Sequence, residues 1–176
     1  MRHPMPLYVV LLLAGITLTA CGGSDADVEV ARYIDSIIPS IEQAKAAGEA
    51  LDEEISPPGA GSDVTDAKLW FERGIEIQEK VLDALRAVGD RPAQVGKAHD
   101  DYIVAGSELL ALNRRIAERL AGAGPGFDIA ELANDSELGV ARQNRLGDRL
   151  EEACKELERN AREAGVKADL RCEKKR

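Results

Sequence analysis

Four long stretches of this chain place apolar residues at alternating spacings of three and four, and each stretch ends in a segment rich in Gly or Pro. That spacing puts the apolar side chains on one face of a helix, so each stretch predicts an amphipathic helix with a single buried stripe. The first runs from about residue 28 to 55 on Ile34, Ile37 or Ile38, Ile41, Ala44 and Leu51; Pro39 must kink it or begin its regular part. Ser56-Pro57-Pro58-Gly59 forbids continuation. Asp63 or Thr65 supplies the cap of a second helix carrying Ala67, Trp70, Ile77, Val81 and Ala84, and Gly89 ends it. Pro92 suits the first position of a third, which carries Val95, Tyr102, Leu109, Ile116 and Leu120 and closes at Gly122. After a single turn over residues 128–133, Asn134-Asp135-Ser136 offers capping chemistry for a fourth long helix with Leu138, Leu146, Leu150, Ala153 and Leu157, stopped by Gly165. Gly74 and Gly106 offer places for helices to approach closely. Four such helices with short connections predict an all-α, up-down-up-down antiparallel four-helix bundle over residues 28–165, followed by a basic C-terminal tail, residues 166–176.

The first residues follow a different pattern. Arg2 and His3 precede an apolar run from Leu7 to Leu18, and Leu18-Thr19-Ala20-Cys21-Gly22-Gly23 comes next. The run is too short for a spanning helix, which needs about 20 apolar residues, and the arrangement predicts an export signal that is cleaved. Leu18 to Cys21 resembles the lipobox of bacterial lipoproteins. The resemblance covers the signal and tether alone. It implies that residues 1–20 are a lipoprotein signal peptide and that Cys21 receives a diacylglyceryl thioether and becomes the mature N-terminus. Residues 21–27 are then the lipidated cysteine and a flexible tether, and the domain faces the periplasm or the cell exterior, bound to the membrane through the lipid on Cys21.

Composition narrows the chemistry. The net charge is −9 and signal cleavage would remove only the basic Arg2, so the domain would repel a phosphate backbone; nucleic-acid binding is excluded. Both methionines and His3 lie in the signal, which leaves His99 alone, without a Met partner for haem or the Glu-x-x-His pairs of a di-iron centre. No catalytic residue, metal site or cofactor is expected, and no phosphate loop or nucleophile motif occurs. His99-Asp100-Asp101-Tyr102 is the densest polar group on a regular helix, and Asn113 takes a core-like position. Cys154 and Cys172 remain as an even pair, and an exported compartment would oxidise them to a disulfide.

These features predict a non-enzymatic interaction, adaptor or structural module with an envelope protein partner. The alternative is a small-molecule sensor or carrier that binds its ligand between helices. Trp70, Phe71, His99 and Tyr102 are the candidate binding surface or pocket. An apolar pocket opening near Trp70 and Tyr102 would favour the carrier, and a filled core the module.

Overall fold

The computed structural model describes residues 25–59, 62–124, 126–170 and 172. The signal, Cys21, Arg171 and residues 173–176 of the basic tail lie outside the described residues. Among those described, all regular structure is helical, in five helices: α1 Asp25–Glu54, α2 Val64–Arg86, α3 Ala93–Ala121, α4 Ile129–Ala133 and α5 Val140–Glu163. None of them is long and apolar enough to cross a membrane.

Local chemistry sets most of the boundaries. α1 continues through Pro39. Pro39 and Asp35, whose carbonyl loses its helical donor there, are both exposed, where water can serve that carbonyl. Asp63, not Thr65, caps α2: its carboxylate accepts the Thr65 N–H at 2.7 Å, and that bond holds Asp63 below the ordinary carboxylate range. Pro92 stands at the cap of α3, one position before the helix proper. Asp128 caps the short α4 through the Ala130 N–H at 2.8 Å.

α5 starts later than Asn134-Asp135-Ser136 suggests, because Asp135 closes a separate turn. Its carboxylate accepts the N–H groups of Glu137 at 2.7 Å and Leu138 at 2.8 Å, and these bonds hold its pKa down. Gly139 then takes the cap position before α5. At the other end Gly165 takes the left-handed conformation, φ 74°. Its N–H donates to the Arg162 carbonyl and the Val166 N–H to the Ala161 carbonyl, both at 2.9 Å, which is a Schellman stop.

The helices form a bundle in which α3 is held between α2 and α5, while α1 lies on α2 and touches α5. Gly106 of α3 admits a close approach: a Cβ there would meet Leu82 Cδ2 of α2 at 2.8 Å, whereas the space around Gly74 is open. The core divides in two. One cluster joins Tyr33, Ile34 and Ile37 of α1 to Leu85, Val95 and Leu157, and also takes in Ala168 and Leu170. The chain beyond Gly165 is therefore packed: residues 166–170 return along α5, and the Leu170 N–H donates to Glu158 Oε1 at 3.0 Å. Cys154 and Cys172 are joined there by a disulfide, with Cα atoms 5.5 Å apart. The second cluster is built on Phe71, Leu112, Ile116, Leu120, Ile129 and Leu146. Among the described residues α1 contributes nothing to it, and the short α4 covers it instead.

Candidate functional site

Beside the second cluster, to which α1 contributes no residue, lies an open cleft of about 450 Å³. Residues on two facing helices line it at helical spacing, Leu109, Asn113 and Ile116 on α3 and Val140, Gln143 and Gly147 on α5. Offsets of three, four and seven place each set on one helix face. Ile129 and Leu132 of α4 close one side, and Pro57 and Pro58 of the α1–α2 loop lie at the edge.

Trp70 and Phe71 of α2 stand in this cleft. Phe71 is buried and Trp70 half-buried; their rings meet edge to face with centroids 5.1 Å apart. The Trp70 indole N–H donates to Asp52 Oδ1 of α1 at 3.0 Å, which fixes the orientation of the ring. Asn113 is half-buried, and its Nδ2 donates to Gln78 Oε1 of α2 at 2.9 Å. None of the described lining residues is charged, in a chain of which 31% is charged. None of the described lining residues carries a nucleophile or a side chain that titrates near neutrality.

Nothing matches this chain among protein-family models, curated proteins or solved structures. The chemistry of the cleft has to be judged from its own residues. Gln78, Leu109 and Gln143 were not candidates on sequence grounds. The signal for Gln143, with Asn144, was an uncharged pair on a helix whose other polar positions are mostly charged.

His99 and Tyr102 lie elsewhere, so the structure separates them from Trp70 and Phe71. Tyr102 is half-buried against the first core cluster, and burial pushes its phenol pKa up. His99 is buried, with Nδ1 2.6 Å from the Tyr33 hydroxyl. Its Nε2 is buried and has no hydrogen-bond partner. The neighbouring aspartates turn away from it: Asp100 pairs with Arg91 and Asp101 with Lys97, both on the exposed surface. Among the described residues no group of three His, Cys, Asp or Glu side chains converges.

Burial lowers the His99 pKa below its ordinary 6.5; nearby Arg91 lowers it further and Asp100 opposes. An imidazolium would need a second acceptor at Nε2 that the core does not offer. Below pH 6.5 the unfolded chain binds a proton at this site that the folded chain refuses, so unfolding gains as pH falls. We expect the urea midpoint to drop between pH 7.5 and about 5.5, with a slope of at most about 1.4 kcal/mol per pH unit from this group. His99→Gln should flatten that segment. An equal slope in both proteins would remove His99 as its cause.

Proposed function

We propose that this chain is a lipid-anchored, non-enzymatic binding protein of the bacterial cell envelope, a sensor or carrier that holds a small molecule in the cleft beside Trp70. The cleft itself carries the proposal. Its volume of about 450 Å³ falls in the range of small-molecule sites, roughly 300–1,000 Å³. Its walls are mainly apolar, with a few side-chain amides to orient a ligand. A filled core would have favoured an adaptor; the cleft opens at Trp70, although Tyr102 does not reach it.

The four long helices are read as an up-down-up-down order with α4 inserted in the last connection. Support comes from the cores: residues near the start of α1 share one cluster with Ala168 and Leu170, while the second cluster joins the start of α2 to the end of α3. The 30-residue α1, about 45 Å long, would then hold the cleft at the end remote from Cys21 and the membrane. Leu18-Thr19-Ala20-Cys21 supports the anchor.

Two readouts test the two halves. Cys21→Ala should move the protein from the membrane to the soluble fraction. Trp70 is the only tryptophan, so its fluorescence reports on the cleft. Titration of the full-length protein in a non-ionic detergent with N-phenyl-1-naphthylamine, a neutral apolar probe, should quench Trp70 saturably. Ala133→Phe, which puts a phenyl ring into part of the cleft, should weaken the saturable response several-fold and leave the unsaturable response due to the micelle unchanged. Identical titrations for the two proteins would refute the binding site.

A further inference from the structure

We infer that the cleft selects an uncharged ligand bearing a secondary amide, and that Gln78 and Asn113 are the specificity residues that recognise the amide; this rests on the cleft being a small-molecule site.

The first part follows from charge. Two other depressions on this surface are ionic: the one beside the start of α1 is lined by Glu29, Arg32, Asp90 and Arg91, and the one between α3 and α5 by Lys97, Asp101, Arg149 and Glu152. The Trp70 cleft alone among these three has no charged lining residue described. A ligand ion entering it would lose water and meet no counter-charge, a cost that a neutral molecule of the same shape avoids.

The second part follows from hydrogen-bond accounting. The Asn113–Gln78 bond at 2.9 Å uses one amide NH₂ and one amide oxygen. It leaves the Gln78 NH₂ and the Asn113 oxygen wholly unused by protein partners among the described residues, beside one further N–H on Asn113 and one further lone pair on the Gln78 oxygen. Rotating both side-chain amides by half a turn exchanges the roles and again leaves one NH₂ and one oxygen wholly unused. The mutual bond between α2 and α3 holds both groups at the cleft wall before a ligand arrives. A secondary amide presents the complementary pair, an N–H for the free oxygen and a C=O for the free NH₂. Gln143 is less available for this purpose, since its Nε2 already donates to the Leu138 carbonyl at 3.3 Å.

The test uses the full-length protein in detergent and measures displacement of bound N-phenyl-1-naphthylamine. N-phenyl-2-naphthamide and phenyl 2-naphthoate share a shape and differ in an amide N–H against an ester oxygen. The amide should bind about tenfold more tightly, the scale of one matched against one unmatched buried hydrogen bond. The Gln78→Met/Asn113→Leu protein should bind the two within about twofold of each other. 8-Anilino-1-naphthalenesulfonate, which adds a sulfonate to the probe, should bind at least tenfold more weakly than the probe itself. Equal binding of amide and ester by the unsubstituted protein would overturn the amide assignment while leaving the cleft as a site. Equal binding of the sulfonate and the neutral probe would overturn the charge assignment. Failure of the neutral probe to bind at all would refute the site, and this inference with it. The amide-to-ester ratio needs no variant, so poor folding of the double substitution would not shield the proposal.

Discussion

Reduction of the Cys154–Cys172 bond should lower the stability of the domain by about 3 kcal/mol, the chain-entropy value for a closed loop of this length. The sequence separation is 18 residues. For a domain of this size the loss corresponds to a fall in Tm of roughly 6–12 °C. The bond matters beyond its loop, because the stapled segment carries Ala168 and Leu170 into the core. Freed from the staple, the segment keeps the Schellman turn at Gly165 and the Leu170 contact to Glu158, so it should loosen and exchange its amides faster without unfolding α5. The Cys154→Ser/Cys172→Ser protein should behave like the reduced one. Equal melting temperatures with and without reductant, once thiol titration shows reduction to be complete, would mean that the packing of Ala168 and Leu170 alone holds the segment.

Gly139→Ala should be nearly as costly, about 2–3 kcal/mol and roughly 5–10 °C in Tm. Gly139 is buried in the turn between α4 and α5. A Cβ there would overlap the backbone carbonyl oxygens of Ala133 and Asp135, and would meet the Ala133 carbonyl carbon at 3.0 Å. These are backbone atoms, which a rotamer change cannot move away. To relieve the overlap the turn must open, weakening the Gly139 N–H to Asp135 bond of 2.9 Å and the two bonds to the Asp135 carboxylate. Gly74→Ala supplies the contrast. It lies inside α2 with nothing within 4 Å of the new methyl group, so it should gain about 0.5–1 kcal/mol from helix propensity. If Gly139→Ala melts with the unsubstituted protein, the turn does not have the tight closure described.

The α4–α5 turn also shows where reading by sequence stops. Asn134-Asp135-Ser136 carries capping residues, and Asp135 does cap N–H groups, but those of Glu137 and Leu138 in a turn of its own. The same carboxylate chemistry serves a helix or a turn. In the fold Asp135 closes that turn around Gly139, where a Cβ would overlap backbone, and α5 starts at Val140. The helices themselves were legible because burial along a helix imposes its period on the residues. The stop at Gly165 was legible, and the α2 cap was narrowed to Asp63 or Thr65, because caps and left-handed stops act within a few residues; the Asp128 cap was not read.

The candidate site was half legible. Trp70 and Phe71 lie in the cleft, while His99 and Tyr102, on similar stripes, belong to the other core. Periodicity tells which face of a helix is buried, and nothing about the depth along the bundle at which that face meets its neighbours. Gln78 was not visible at all, since a half-buried glutamine and an exposed one look alike until Asn113 of another helix is 2.9 Å away. By itself, then, the sequence determined the helical class, the breakers between helices and the local caps, all of which depend on residues within a turn or two of one another. The tertiary structure alone decided that α1 is missing from the second core, that a cleft opens there and that an amide pair stands in its wall, because these depend on the relative placement of helices that are distant in the chain.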